Sequence, residues 1–258
     1  MHAASALARI LLIRQSDLVH ANTSTSLRIR RSDERGQFRH GWLDTRHTFS
    51  FGDYYDPAHM GFRSLRVIND DFIAAGSGFP THPHRDMEIF SYVLEGTLAH
   101  QDSMGNRREL KPGEIQLMRA GSGVTHSEFN PSSTERVHIL QIWIQPEKRG
   151  LTPAYTEWIP STSPPSPKTL VISRDGRDGS AQIAQDAEIH RILTTSPHTT
   201  VTHEIRADRG IWLHVIHGEA QIGNVTLAPG DAISLEEPMT LQITSGSEPL
   251  EALLFDLR

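Results

Sequence analysis

The chain has 258 residues, a formal charge of −6 at pH 7, and ordinary shares of apolar (37%) and charged (22%) side chains. That length can bury a large core, the composition excludes general disorder, and the acidic balance argues against a surface built to neutralise phosphates. With no cysteine, disulfides, thiolate metal sites and cysteine nucleophiles are excluded together.

The first stretch that draws notice is Ala6 to Ile13. Arg9 sits inside it, Arg14 closes it, and almost no positive charge precedes it, so it lacks the build of a secretory signal. Residues 1–26 are expected to be a tail leading into a strand, and the cytoplasm is the expected location. No run approaches the roughly 20 apolar residues that span a bilayer. Arg28, Arg30, Arg31, Arg35 and Arg39 follow as a local basic group. They read as solvated strand and loop ends, with no direct nucleic-acid contact.

Beyond them, short apolar runs alternate with turn residues. Val67-Ile68, Ile89–Leu94, Ile115–Met118 and Val137–Ile144 come first. Leu170–Ile172, Ile211–Ile216, Gln221-Ile222, Ala232–Leu235, Leu241–Ile243 and Ala252–Phe255 follow. Such runs, spaced by Gly, Pro and Asp, predict strands of a sandwich or barrel. The order also repeats. Tyr92–Gly96 is followed by a strand and then by Leu110-Lys111-Pro112-Gly113-Glu114, while His214–Gly218 is followed by a strand and then by Leu227-Ala228-Pro229-Gly230-Asp231. Each Pro-Gly suits a type II turn, in which proline fixes one φ and glycine takes the positive one. Two β-barrel copies are therefore expected, over 27–145 and 170–258, joined by a Pro/Ser-rich connector at 146–169. Arg174–Gly179 lacks the acidic spacing of a calcium loop and reads as a pair of tight turns.

The chemistry is concentrated in Thr81-His82-Pro83-His84-Arg85-Asp86-Met87-Glu88. Alternation along a strand puts His82 and His84 on one face. With 15 histidines in the chain, about one His-x-His is expected by chance, so the pair alone is weak evidence. His126 and Glu128 form a second same-face pair after the Pro112-Gly113 turn. The intervening residues suffice for several short strands, which would let the two pairs oppose one another inside a barrel. Three imidazoles and a carboxylate leave coordination positions open. They suit iron or manganese, with zinc or nickel as alternatives.

These spacings, with Gly76, Glu88 and Gly96 around them, resemble the cupin superfamily. The wording is closer to the pirin family: His47-Thr48-Phe49-Ser50-Phe51, Asp53-Tyr54-Tyr55, Leu65–Asn69, His82–Glu88, Ser91–Gly96, Met118–Gly123, His126-Ser127-Glu128 and Leu140–Ile144. Within that family the chain is similar to bacterial pirin-like quercetin 2,3-dioxygenases. The resemblance is strong over roughly 27–160 and weaker beyond. It implies an all-β bicupin whose single divalent metal, expected to be Fe(II) with Mn, Ni, Zn or Cu as alternatives, is held by His82, His84, His126 and Glu128. Glu128 would also be the catalytic base. Glu88 holds the place of a metal ligand in other cupins and is expected instead to orient a ligating imidazole. The implied activity is cleavage of a flavonol-like aromatic such as quercetin with O2. The alternative is a metal- and redox-responsive binding protein that regulates a protein partner without turnover.

In the second copy, counting back from Gly218 puts Glu204 and Arg206 where His82 and His84 stand, so no metal is expected there. His203, His214 and His217 read as ordinary histidines. A structural role is likewise expected for His40, His47, His59, His100 and His138. Phe49, Phe51, Tyr54 and Phe90 read as core or as pocket wall.

Overall fold

The computed structural model describes residues 27–161 and 166–258; the expected N-terminal tail lies outside the described residues. The first half carries β1 (Arg28–Arg30), β2 (Gly36–His40), β3 (Leu43–His47), β4 (Leu65–Ile73), β5 (Gly78–His84) and β6 (Glu88–Glu95). It continues with β7 (Leu98–Asp102), β8 (Arg107–Leu110), β9 (Ile115–Arg119), β10 (Val124–Phe129), β11 (Val137–Ile144) and β12 (Ala154–Trp158). The second half carries β13 (Lys168–Ser173), β14 (Ala181–Gln182), β15 (Ala187–Leu193), β16 (Thr200–Ile205) and β17 (Gly210–His217). After them come β18 (Ala220–Ile222), β19 (Val225–Leu227), β20 (Ala232–Leu235), β21 (Met239–Ser245) and β22 (Glu251–Leu257). Every apolar run singled out in the sequence lies within one of these strands. No helix among the described residues is long and apolar enough to cross a membrane.

In each lobe a long sheet packs against a short one. The first pairs β12-β9-β6-β11-β4-β3-β2 with β5-β10-β7-β8, and the second pairs β1-β20-β17-β22-β15-β13-β14 with β16-β21-β18-β19. This is the bicupin architecture the sequence implied. The turn glycines behave as anticipated, with φ of +85° at Gly113 and +83° at Gly230. Asp178 and Gly179 both take positive φ, as tight turns between 174 and 179 require.

The two long sheets meet back to back in one shared core. Phe90 and Tyr92 of β6 and Ile142 of β11 bury against Leu253 and Phe255 of β22 and Trp212 of β17. Phe90 and Phe255 stand 6.4 Å apart, Phe49 and Trp212 4.8 Å. Because strand side chains alternate, β6 sends Phe90 and Tyr92 to this shared core and Ile89, Ser91 and Val93 into the first barrel.

Two features depart from the expected boundaries. β1 pairs with β20, Arg28 opposite Ser234 and Arg30 opposite Ala232, so residues 28–30 extend the second lobe's sheet and cover its edge. β12 lies inside the expected connector and pairs with β9, covering the edge of the first long sheet. The strand exchange also corrects the reading of the arginines. Arg30 and Arg35 are buried; Arg35 binds Asp70 at 3.1 Å and Arg31 binds Asp231 at 2.7 Å. From β1, Arg30 also reaches the first lobe, donating to the Tyr54 hydroxyl at 2.8 Å.

Candidate metal centre

Among the described residues, β5 is the edge strand of the small sheet and pairs only with β10. That is why it tolerates Pro80 and Pro83, each of which lacks an N–H for a second neighbour. His126 lies opposite His82, but Glu128 lies opposite Phe79, so β5 accommodates one extra residue in a bulge. Gly78 lets the strands meet at this point: a Cβ there would stand 2.2 Å from the Glu128 carbonyl oxygen.

The result is a compact imidazole cluster. His82 Nε2 and His126 Nε2 are 3.1 Å apart, and the ring centroids of His82, His84 and His126 lie 4.5–4.9 Å from one another. His82 Nδ1 is 2.8 Å from the Pro80 carbonyl, so its proton belongs on Nδ1, leaving Nε2 bare. His84 Nε2 is buried and has no hydrogen-bond partner. Burial first, and then the neighbouring imidazoles, lower His84 to about 4 and His126 to about 3, so both are neutral at physiological pH.

The donor atoms of His82, His84 and His126 lie within 4.8 Å of one another, and a second such group, His100, His126 and Glu128, overlaps the first at His126. Glu128 is 1% exposed. Its Oε1 accepts from the Ser91 hydroxyl at 2.5 Å and its Oε2 from Gln141 Nε2 at 2.5 Å. Each oxygen keeps a further lone pair. Neutral, orphaned imidazole nitrogens beside a carboxylate are what a divalent cation with N/O preference would satisfy, so these residues fit a metal.

The cluster opens on a cavity of about 350 Å³ walled by Phe51, Phe79, Pro80, Ile89 and Trp143, with Asn69, Asp71 and Gln141 among its polar members. Phe51 and His84 both contact Trp143 edge-on, at 5.3 and 4.8 Å. Of the aromatics weighed in the sequence, Phe51 lines the cavity, whereas Phe49 and Phe90 are core. Asp71 is fully buried, and its carboxyl is pushed up to about 7 by burial first, then by the charges of Asp70 and Glu128.

Two expectations need correction. Glu88 does not face the imidazoles. It shares the parity of Phe90, points to the shared core, and accepts from Arg119 Nε at 2.9 Å and from the Ala184 backbone. His100 is more than a distant structural histidine: it is 1% exposed, its ring is 5.3 Å from that of His126, and its Nε2 is 3.3 Å from Asp102 Oδ2. The alternation Leu98, His100, Asp102 on β7 was the signal that could have found it.

The second barrel is filled differently. On β16, Val201, His203 and Ile205 are buried while Glu204, expected at the place of His82, is exposed. His203 Nε2 binds Asp256 Oδ2 at 2.9 Å, and the Arg209 guanidinium binds the other oxygen of Asp256. Asp186 holds Arg209 from its far side at 2.8 Å. His214 is buried and His217 exposed.

Against this geometry the comparisons with known proteins are decisive. The Pirin family matches residues 28–144, and the quercetinase C-terminal cupin domain matches 170–257. A quercetin 2,3-dioxygenase of Escherichia coli K12 is 50% identical over 229 residues, spanning 89% of this chain and 97% of that protein. The chain belongs to the pirin family. A pirin-like protein of Caulobacter vibrioides is 37% identical, spanning 87% of the chain and 96% of that relative. The solved structure of the bacterial pirin YhhW from Escherichia coli in complex with nickel(II) superposes with a TM-score of 0.84 at 48% identity, covering 90% of this chain and 98% of that one. The pirin fold is thus shared over most of the chain.

Proposed function

We propose that this pirin is a metal-dependent dioxygenase that cleaves a flavonol-like aromatic such as quercetin with O2, and that His82, His84, His126 and Glu128 hold the metal. The observation that carries this reading is the cluster of His82, His84 and His126 lining an apolar, aromatic-walled cavity. The Escherichia coli relative bears the name of that activity, and its structure was solved with nickel(II). Iron is the expected ion because a carboxylate joins the imidazoles, with Mn, Ni, Zn and Cu as alternatives. A divalent cation there would act as a Lewis acid, favouring the ionised form of a substrate hydroxyl.

The chain's own residues supply the rest. Phe51, Phe79, Ile89 and Trp143 give a flat ring apolar faces to pack on and keep water out. Glu128 is the base that takes the substrate hydroxyl proton; Ser91 and Gln141 fix its orientation, so the carboxylate is held before substrate arrives. A cavity of this size suits a small molecule better than a protein partner.

The test is oxygen uptake and quercetin loss by iron-loaded protein. Both should exceed the His126→Ala background by at least ~100-fold, since a metal-dependent step loses its whole catalyst. If neither rises above that background, the proposal fails.

A further inference from the structure

The cavity contains polar atoms that the metal cluster does not use. On β4, Asn69 and Asp71 alternate onto one face and are 4% and 2% exposed. Asn69 Oδ1, Asp71 Oδ1 and Trp143 Nε1 are all buried without a hydrogen-bond partner, and all three residues line the cavity. Gln141 is a useful contrast. It stands directly across from Asn69 on β11, yet its amide is committed to Glu128 and its carbonyl lies near Ser91.

Buried polar groups in folded proteins are nearly always paired, so several orphans on residues that line one cavity mark a place where a partner arrives from outside. The chemistry of the orphans describes that partner. Two acceptors ask for O–H donors, and one indole N–H asks for an oxygen. Phenolic hydroxyls offer both on a flat ring; an unsubstituted ring offers neither. Burial, the larger effect, raises the Asp71 carboxyl to about 7 with no cation beside it, although Thr45, across from it on β3, draws it down.

We infer that Asn69, Asp71 and Trp143 form a hydrogen-bonding subsite that reads the ring hydroxyls of a polyhydroxylated aromatic substrate, apart from the oxygens the metal would engage. The inference rests on the proposed reading of the cavity as the aromatic site. A site built to pair a hydroxyl rejects the analogue that lacks it, because its own buried groups are then left unpaired.

The experiment is anaerobic equilibrium binding to the full-length, metal-loaded chain. It compares quercetin with 3-hydroxyflavone, which keeps the hydroxyl–carbonyl pair and lacks the other ring hydroxyls. Wild type should bind quercetin at least ~10-fold more tightly. Asn69→Leu and Asp71→Leu should shrink that gap to about 2-fold while leaving 3-hydroxyflavone affinity unchanged; Asp71→Asn, which keeps hydrogen-bonding capacity and volume, should retain most of it. Thermal melting of the metal-free variants supplies the second readout: Asp71→Leu should melt no lower than wild type, because a group reserved for ligand does not hold the fold.

Equal affinities in wild type, no binding of either compound, an equal loss for both in the variants, or a lowered melting temperature in both Asp71 variants would each overturn the subsite. Because no oxygen is present, failure of turnover in a separate aerobic assay would strike the proposed reaction while the binding gap still tests the subsite.

Discussion

The two lobes share one architecture and solve the same interior problem in opposite ways. In the first, His82, His84 and His126 bring their ring nitrogens together, Glu128 lies with His100 and His126 in an overlapping group, and a cavity adjoins them. In the second, the inward carboxylate of Asp256 is already met by a covalently tethered cation, the guanidinium of Arg209, and His203 closes the other side. A buried carboxylate is costly unless a cation or hydrogen bonds meet it. In the first barrel the proposed metal would be that cation, beside an open cavity. The second carries its own in Arg209.

The largest effect should come from removing the open site's donors. His126→Ala should abolish metal retention and turnover together, read by metal content and oxygen uptake. Glu128→Gln should keep the hydrogen bonds from Ser91 and Gln141 partly intact yet lower the rate by about 10²–10⁴-fold, the usual worth of a positioned base. A Glu128→Gln rate within a few-fold of wild type would remove the base from the account.

The converse experiment lies in the second barrel. Arg209→Met strands the Asp256 carboxylate, 1% exposed, and should cost about 3–5 kcal/mol, while Arg209→Met with Asp256→Asn should recover much of it. Urea unfolding measures both. Metal content should be unchanged in either variant, and a loss of metal there would break the comparison between lobes.

A smaller effect concerns Gly78, where an added Cβ would press on the Glu128 carbonyl. Gly78→Ala should weaken metal affinity more than it lowers the melting temperature, because β5 is an edge strand that can be pushed aside locally. Smaller still is an acid effect that does not involve the metal. His214 is fully buried between Arg35 and the lobes' other charges, and burial first holds it down to about 3. As pH falls from 6.5 toward 3, the unfolded chain takes up a proton that the native chain refuses, so stability drops. At pH 5 the loss should be about 2 kcal/mol relative to pH 7, and His214→Gln should flatten that part of the profile.

Much of this was legible in the sequence, for identifiable reasons. The repeated Pro-Gly turns announced two copies because a type II turn needs a particular residue at a particular place. The two same-face pairs, His82/His84 and His126/Glu128, were visible because strand period is exactly countable over three residues. Other features left no period to read. β1 is three residues long, so its exchange into the second sheet could not be inferred from Arg28-Ile29-Arg30. On β6 both faces are apolar, and nothing in Ile89–Leu94 told which parity faced the barrel; Glu88 was therefore assigned to the wrong side. Asp70 and Asp71 are neighbours with opposite fates. One pairs with Arg35 and His138 at the lobe interface, the other lines the cavity, and only the register of β4 against β11 separates them.

The most direct measurement is elemental analysis of protein purified without added metal, for wild type, His126→Ala and His203→Ala in parallel. One equivalent of a divalent transition metal is expected in wild type and in His203→Ala, and essentially none in His126→Ala. Metal retained by His126→Ala, or lost on changing His203 alone, would contradict this expectation.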